Sequence, residues 1–349
     1  MTRREILKAA GAAAISLSAA AQPAPQTTPR TMENLGGAPA GFPIWRRSAG
    51  SSADFVEHCH SLGLGVVEAG RPPSDPEAIR KFRDRMERYH MRAIFDVGYP
   101  RDEKGIPAFE AGAKAAAECG ALSLHAAMTQ RRYEEFDTFE AFRRNFEGNQ
   151  KSIALAEPIL RKCRVRLGIE NHKGWRSAEQ AAWLKRVSSE WIGVHFDFGN
   201  NLALCEDPMD TLRNLQPFAW ACHLKDMAVE AYDDGFLLSE VPLGEGVLGL
   251  PAMVAMLRKK DPNIPLDLEM ITRDPLKIPV FTEKYWATFD DSYSPLPGRD
   301  LARTLDLVRK NKPKNPLPRV SGLSTEAQGK IEDDCIAKSL DFARRRLNG

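Results

Sequence analysis

The chain has 349 residues, of which 43% are hydrophobic and 28% charged, so it can bury a large core in one domain of about 250 residues with additions. Its formal net charge is +2, and acidic and basic residues alternate along the sequence. Because no long basic stripe is present, the charge pattern argues against a nucleic-acid partner.

The first 24 residues predict an export signal. Arg3-Arg4 precedes a weakly apolar stretch, residues 9–21, that ends in small residues. This arrangement resembles a twin-arginine signal, and the stretch is too short for a stable membrane anchor, which takes about 20 strongly apolar residues. We therefore expect a periplasmic or otherwise exported protein. Residues 25–41, rich in Pro, Thr and Gly, are expected to form a disordered lead-in.

From residue 42 onward, short β-type runs alternate with amphipathic helical patterns in units of roughly 25 to 30 residues. The predicted strands are 42–46, 65–69, 92–97, 122–127, 166–171, 191–198, 220–226 and 264–271. Helical patterns between them include 75–90, 109–119, 138–162, 178–188, 208–215 and 250–260.

This alternation predicts an α/β fold, a single (β/α)8 barrel over residues 42–311. Long loops are expected after the seventh and eighth strands, at 228–249 and 272–297, as a lid, a substrate wall or a packing surface. Residues 312–349 are expected to form a linker and a helix packed on the barrel. A doubly wound open sheet is the alternative, which the absence of Gly-x-Gly-x-x-Gly after the first strand disfavours.

Polar side chains close four of the later apolar runs. Glu170, Asp197, His223 and Glu269 each fall where a buried parallel strand would end, which is where barrel enzymes carry their chemistry. Three carboxylates and one imidazole suit a hard or borderline divalent cation such as Mn²⁺, Mg²⁺ or Co²⁺. We therefore predict that these four residues bind one divalent cation at the mouth of the barrel.

Further polar residues share the inner face of these strands. Because side chains alternate along a strand, Asp197 brings His195 with it, one layer deeper, and Glu269 brings Asp267. Both deeper residues are expected to orient the ligands, although His195 could be a satisfied core residue. Lys225 is expected to hold a substrate oxygen or to pair with a carboxylate, and Glu68 and His125 to bind substrate or to pack inside the barrel. The full set of substrate-binding candidates is His172, Asn200, Lys225, Glu68 and His125.

Several fragments together resemble the xylose isomerase-like superfamily of sugar and sugar-phosphate isomerases and epimerases, over most of residues 42–311. The fragments are Ile169-Glu170-Asn171-His172, Asp197-Phe198-Gly199-Asn200, His223-Leu224-Lys225-Asp226, Gly244-Glu245-Gly246 and Leu268-Glu269. The resemblance implies that the Glu, Asp, His and Glu positions bind the metal and that the two glutamates also transfer protons. Many members carry a His where this chain has Asn200, whose amide cannot titrate near neutral pH.

The chemistry of such a site points to carbanion reactions. An enediolate formed next to a carbonyl is costly unless a cation stabilises its oxygens. Glu170 and Glu269 are expected to face each other across the barrel, so one could remove the proton and the other return it. The leading hypothesis is an enzyme, a metal-dependent isomerase or epimerase of a sugar or related keto-polyol, with Mn²⁺ expected first and Mg²⁺, Co²⁺ or Zn²⁺ as alternatives.

Two other functions stay open from the sequence. A metal-dependent lyase or dehydratase would pass through the same carbanion and act on a keto-sugar or keto-glycoside. A non-catalytic exported sugar-binding protein would use the metal for recognition alone. In each case the partner is a small carbohydrate, with neither nucleic acid nor a stable membrane anchor expected and with a homo-oligomer left open.

Overall fold

Eight parallel strands close into a barrel in the computed structural model of the chain, which describes residues 32–128 and 131–347. Numbered along the chain, the barrel strands are β1 (Met32–Gly37), β2 (Leu64–Glu68), β3 (Arg92–Asp96), β4 (Ser123–Ala127), β5 (Leu167–Glu170), β6 (Ile192–Asp197), β7 (Ala219–Leu224) and β10 (Leu266–Leu268). Leu35 of β1 pairs with Leu266 of β10, and this pairing closes the cylinder. The predicted fold class, a single (β/α)8 barrel, is confirmed.

Helices surround the barrel. They are α1 (Pro43–Ala49), α2 (Phe55–Ser61), α3 (Pro76–Tyr89), α4 (Ile106–Glu118), α5 (Arg132–Glu135), α6 (Phe139–Cys163), α7 (Ser177–Val187), α8 (Pro208–Leu215), α9 (Leu250–Lys260), α10 (Glu283–Trp286), α11 (Gly298–Lys310) and α12 (Thr325–Arg346). The six with a predicted range (α3, α4, α6, α7, α8 and α9) lie within a few residues of it. Several begin at a side chain that accepts an otherwise unpaired backbone N–H, as Asp75 and Thr138 do. The main hydrophobic core fills the space between helices and strands, and a small second cluster of Val66, Ile94 and Ala221 lies apart from it.

The first barrel strand is not where the sequence predicts it. Residues 43–49 form α1, and β1 lies at Met32–Gly37, inside the segment expected to be disordered. Packing requires a glycine at position 36 of β1, because a Cβ there would lie 1.8 Å from Asp267 Oδ1. The barrel therefore begins at residue 32 and not at 42. The predicted export signal, residues 1–24, lies outside the described residues and stays a prediction.

A small antiparallel sheet occupies much of the region expected to be long loops. It consists of β8 (Asp226–Tyr232), β9 (Gly235–Val241) and β11 (Leu276–Ile278), in the order β11-β9-β8. Gly235, with φ +153°, follows the two-residue turn between β8 and β9. A Gly after an Asp pair between two β-type runs is a hairpin signal, which accounts for the difference from the loop expected there.

Asp226 organises the loop that follows this hairpin. Its carboxylate accepts the backbone N–H groups of Met227, Gly244, Gly246 and Leu248. Burial raises the pKa of Asp226 to about 6, although these four donors oppose the shift. The Gly-Glu-Gly fragment is therefore folded around a buried carboxyl group beside the end of β7.

The C-terminal helix α12 is attached to helix α1. Glu332 accepts the backbone N–H groups of Ile44, at 2.9 Å, and Trp45, at 2.7 Å. Both donors lie in the first turn of α1, so the contact supplies hydrogen-bond acceptors that a helix start lacks. Of the helices in the described part of the chain, none has the length and apolar character needed to cross a membrane.

Candidate metal centre

Glu170, Asp197, His223 and Glu269 converge at the carboxyl ends of the barrel strands. Glu170 and Asp197 end β5 and β6, while His223 lies in β7 and Glu269 directly follows β10. All four are buried, and each offers a ligand atom within 4.8 Å of the others. His223 Nδ1 lies 3.6 Å from Glu170 Oε1 and 3.5 Å from Glu269 Oε2. The structure thus brings together the four residues predicted to bind the cation.

The arrangement of these atoms fits a divalent cation. His223 Nδ1 is buried and has no hydrogen-bond partner among the described residues, although it faces two carboxylates. Asp197 Oδ2 is also buried and lacks a hydrogen bond in the described part of the chain, while Lys225 Nζ lies 2.7 Å away as an ion pair. Buried polar atoms without partners are costly, and three carboxylates with one imidazole form a common donor set for Mn²⁺ or a similar ion.

Both glutamates of the cluster are ionised in this environment. Burial alone would raise their pKa values. For Glu170 the charge of His172 and the hydrogen bonds of His125 and His223 overcome burial and hold the pKa well below its usual value. For Glu269 the charges of His223 and Lys225 lower the pKa to about 2. Two ionised carboxylates on either side of one imidazole can accept protons from a bound molecule as well as ligate a metal.

Lys225 and Asn200 contact the cluster directly. The buried ammonium of Lys225 pairs with Asp197, at 2.7 Å, and with Glu269. Asn200 donates its side-chain N–H to Glu170 Oε1 at 2.8 Å and its backbone N–H to Asp197 Oδ1 at 2.7 Å. Of the two roles open to Lys225, the contacts show the ion pair, which balances part of the negative charge of the site.

Glu68 orients the imidazole of His223. Glu68 ends β2, and its Oε2 lies 2.8 Å from His223 Nε2. If Nε2 carries the proton and donates it to this carboxylate, the lone pair of Nδ1 faces the cluster, as in carboxylate–histidine–metal arrangements. Glu68 thus contacts a predicted ligand inside the barrel, while its role as a substrate-binding residue stays a prediction.

His125 bridges the cluster and a neighbouring carboxylate. Its Nδ1 lies 2.6 Å from Asp96 Oδ1, and its Nε2 lies 3.3 Å from Glu170 Oε2. Glu68, Asp96 and His125 also form a group whose ligand atoms lie within 4.8 Å of one another. The side chain of Asp96 is 40% exposed, so this edge of the site is open to solvent.

His195 and Asp267 make no hydrogen bonds to the predicted ligands among the described residues, and the expectation that they orient those ligands stays a prediction. Both ring nitrogens of His195 and both carboxylate oxygens of Asp267 lack hydrogen-bond partners within the described residues. The ring of His195 is nonetheless close to a predicted ligand, because its centre lies 4.1 Å from that of His223, and His125, His195 and His223 offer ring nitrogens within 4.8 Å of one another. Burial and the charges of His223 and His125 lower the pKa of His195 far below its usual value. Burial and Glu68 raise the pKa of Asp267 to about 8.

Sequence reasoning missed several residues of the site. Asp96 closes the apolar run of β3, so the rule that found the four cluster residues could have found it. Asn171 exchanges hydrogen bonds with the backbone of Asp197, at 2.7 and 2.8 Å. Lys173 is buried and donates to Asn200 Oδ1, and burial together with the charges of Lys225 and Arg273 lowers its pKa to about 8.

The aromatic segment after β10 packs against α5, α6 and the residues that follow β6. The buried guanidinium of Arg132 donates to Thr288 and Ser294 and lies 3.8 Å and 4.2 Å from the ring centres of Phe142 and Phe289. Tyr285 is fully buried and donates to the backbone of Ala203 at 2.9 Å. These contacts show the packing role that the sequence left open for this segment. At its edge, Arg273 pairs with the buried Glu240 of β9.

Comparison with known proteins agrees with this architecture. The sequence profile of the family described as xylose isomerase-like TIM barrel matches residues 56–288. A search of curated protein sequences returned no match.

Three solved structures illustrate the similarity. A D-psicose 3-epimerase crystallised with D-fructose is 14% identical, with a TM-score of 0.54 over 90% of this chain and 100% of that one. A probable 3-DHS dehydratase, AsbF from Bacillus anthracis, is 15% identical, with a TM-score of 0.54 over 68% of this chain and 93% of that one. The zinc-bound IOLI protein is 15% identical, with a TM-score of 0.51 over 80% of this chain and 98% of that one. At such identities the likeness shows the fold.

Proposed function

Since the chain belongs to the xylose isomerase-like TIM barrel family, we propose that it is a divalent-metal-dependent enzyme that isomerises or epimerises a sugar or related keto-polyol. The observation that carries this proposal is the pair of buried, ionised glutamates, Glu170 and Glu269, on either side of His223 Nδ1. The sugar epimerase among the structural neighbours supports it.

In the proposed reaction the two glutamates move the proton. One carboxylate removes the proton from the carbon next to the carbonyl, and either the same or the other returns it to the substrate. The choice between isomerisation and epimerisation depends on the carbon that receives the proton. General acid–base action of this kind contributes about 10² to 10⁴-fold in rate.

We propose that Glu170, Asp197, His223 and Glu269 hold the cation. When bound, a divalent cation supplies a Lewis acid that stabilises negative charge developing on the substrate oxygens. Mn²⁺ is the first expectation for this donor set, with Mg²⁺, Co²⁺ or Zn²⁺ as alternatives. The IOLI protein among the structural neighbours binds a zinc atom, which supports a metal site in this protein.

The surrounding residues would hold the substrate and balance charge. Lys225 lies against Asp197 and Glu269 and offsets part of their negative charge. Half-buried His172, two residues beyond Glu170, and His125, beside the partly exposed Asp96, lie where hydroxyl groups of a polyol could be bound. Asn200 holds Glu170 through its amide, and an N–H donor of this kind favours the ionised carboxylate.

Elimination is the second candidate function. His125 Nε2 lies 3.3 Å from Glu170 Oε2, so a proton donor stands beside the proposed base, where it could protonate a leaving oxygen. A lyase or dehydratase acting on a keto-sugar or keto-glycoside would use this arrangement. The probable dehydratase among the structural neighbours supports this alternative.

Solvent-exchange measurements test the proposal. The Mn²⁺-loaded protein is incubated in deuterated water with a panel of ketoses and keto-glycosides, and the sugars are analysed by mass spectrometry and NMR. We expect deuterium at the carbon next to the carbonyl together with a new sugar. An unsaturated product or a released aglycone would instead establish elimination.

Two outcomes separate catalysis from binding alone. No deuterium and no product with any member of the panel would contradict the enzyme proposal. A non-catalytic sugar-binding protein would keep its sugar affinity in Glu269→Gln and show no exchange in the wild type. The exposed substitution Glu190→Gln serves as the matched control, with exchange expected at the wild-type rate.

A further inference from the structure

A line of three buried side chains connects a lysine to Glu170. Lys173 Nζ donates to Asn200 Oδ1, and Asn200 Nδ2 donates to Glu170 Oε1 at 2.8 Å. The exposed fractions of the three residues are 3%, 2% and 5%. Water therefore competes little for these contacts, and each group depends on the next.

Lys173 differs from the other cations of the site in its partner. Lys225 is paired with Asp197 and Glu269, and Arg273 with Glu240. Within the described residues the ammonium of Lys173 has no ion pair, and its hydrogen bond goes to the neutral amide of Asn200. Burying an ammonium group without a carboxylate is costly, so the position is explained by what the lysine donates to.

The two contacts together fix the direction of the Asn200 amide. An ammonium group can only donate, so it selects the amide oxygen, and the amide nitrogen must then face Glu170. If the amide turned over, its oxygen would face a carboxylate oxygen and its nitrogen would face the ammonium, and both contacts would be repulsive. The lysine thus decides whether Glu170 receives a donor or an acceptor.

The direction of this amide matters for the carboxylate of Glu170. An N–H donor favours the ionised form and holds Oε1, the oxygen that lies 3.6 Å from His223 Nδ1. The other oxygen, Oε2, faces His125 at 3.3 Å. With both oxygens held, the carboxylate keeps one orientation toward the cluster.

We infer that Lys173 is a positioning residue that acts through the Asn200 amide to hold the Glu170 carboxylate ready to bind a divalent cation. The inference rests on the proposed metal site, because Glu170 is one of its four ligands. Within the described residues Lys173 has no hydrogen bond or ion pair to any of the four predicted ligands, so its hydrogen-bonded connection to Glu170 passes through Asn200.

A double-mutant cycle with Mn²⁺ alone tests the inference. Dissociation constants are measured from the electron paramagnetic resonance signal of free Mn²⁺ for the wild type, Lys173→Met, Asn200→Leu and the double variant. Each single variant is expected to bind Mn²⁺ about 10 to 100-fold more weakly, the range typical for partners of metal ligands. The double variant is expected to bind no more weakly than Asn200→Leu, because the hydrogen bond of the lysine reaches Glu170 through that amide.

Three results would overturn the inference. These are wild-type affinity in Lys173→Met, wild-type affinity in Asn200→Leu, and losses that simply add in the double variant. If Lys173→Met does not fold, as judged by circular dichroism, Asn200→Leu alone decides the matter, since an unchanged dissociation constant there refutes the chain of contacts.

A matched control and the wild type separate this inference from the proposed function. Lys185→Met removes an exposed lysine of α7 and is expected to keep the wild-type dissociation constant. If the wild type binds no Mn²⁺, the proposed metal site itself fails. If the wild type binds Mn²⁺ and the Lys173 and Asn200 variants bind it equally well, the inference fails while the metal site stands.

Discussion

Two layers of polar side chains lie inside the barrel, one at its mouth and one deeper, and they differ in their hydrogen-bond partners and in their charge. At the mouth, Glu170 and Glu269 are contacted by charged or amide groups that keep them ionised. One layer deeper, His195 and Asp267 have no hydrogen-bond partners among the described residues. A shift of two residues along a strand therefore separates polar groups arranged to carry charge from polar groups that are kept neutral.

The neutral layer helps to define where a cation can bind. The pKa of His195 is far below its usual value and that of Asp267 is about 8, so near pH 7 the deeper layer carries little charge. A cation entering the barrel is then attracted by the ionised carboxylates at the mouth and gains little by moving deeper. Substitutions in each layer should consequently affect different properties.

The largest expected effect is on catalysis, from the mouth layer. Glu269→Gln keeps the size of the side chain and an oxygen ligand but removes the proton acceptor. We expect the rate of deuterium exchange into a reactive ketose to fall about 10² to 10⁴-fold. Exchange at the wild-type rate in this variant would show that Glu269 does not transfer the proton, and Glu190→Gln is the exposed control.

In the deeper layer, Asp267→Asn should change how stability depends on pH. The pKa of Asp267 is raised from 3.8 to about 8 on folding, so between these values the folded state binds more protons and stability falls as pH rises. We expect the metal-free variant to be more stable than the wild type at pH 8 by a few kcal/mol, since one pKa unit corresponds to about 1.4 kcal/mol.

Urea unfolding at pH 5 and pH 8 measures this effect. The advantage of Asp267→Asn should shrink as the pH falls toward 4, where the wild-type carboxyl group is protonated in both states. Asp333→Asn, at an exposed position of α12, should keep the wild-type pH dependence. An Asp267→Asn protein with the same pH dependence as the wild type would mean that this carboxyl group is ionised in the fold.

Glu68→Gln tests the contact that orients the imidazole of His223. The variant keeps an oxygen near His223 Nε2 but loses the charge that stabilises the donating ring. We expect Mn²⁺ to bind about 10 to 100-fold more weakly, measured by the same resonance method. Glu77→Gln on the surface of α3 is the control. Equal Mn²⁺ affinities for the two variants would show that Glu68 does not orient the His223 ring for metal binding.

The smallest expected effect on the cation comes from His195→Leu. Because His195 has no hydrogen bonds in the described part of the chain, its loss should change the Mn²⁺ dissociation constant by less than about threefold. A tenfold higher dissociation constant in a folded variant would show that His195 orients the ligands, as the sequence suggests.

The same variant should resist acid better than the wild type. The folded-state pKa of His195 lies well below 6.5, so below pH 6.5 the unfolded chain binds a proton that the folded chain does not. Wild-type stability is therefore lost as the pH falls below that value, and His195→Leu lacks this loss. Unfolding free energies at pH 7 and pH 5 provide the measurement, and an equal decline in both proteins would contradict it.

Much of the fold and the mouth layer is predictable from the sequence. Local signals suffice for the helices, because caps such as Asp75 and Thr138 lie beside the amphipathic stretches they begin. Strand ends are equally local, since Glu170 and Asp197 each close an apolar run. Parallel strands then bring these ends to one side of the barrel without any further information.

The features that sequence reasoning misplaces depend on contacts between distant segments. The glycine at position 36 suggests disorder locally, yet it reflects the approach of Asp267, more than 200 residues away. The contact between Lys173 and Asn200 joins two loops after different strands, so no spacing rule reveals it. His195 and Asp267 share the correct face, but only the structure shows that their polar atoms have no hydrogen-bond partners among the described residues.

Anomalous diffraction from crystals soaked in Mn²⁺ tests whether the four predicted ligands bind one cation at the barrel mouth. We expect one strong anomalous peak at the barrel mouth, about 2.0 to 2.3 Å from an atom of each of the four predicted ligands, Glu170, Asp197, His223 and Glu269. A peak held instead by the neighbouring group of Glu68, Asp96 and His125, or no peak at the mouth at saturating Mn²⁺, would contradict it.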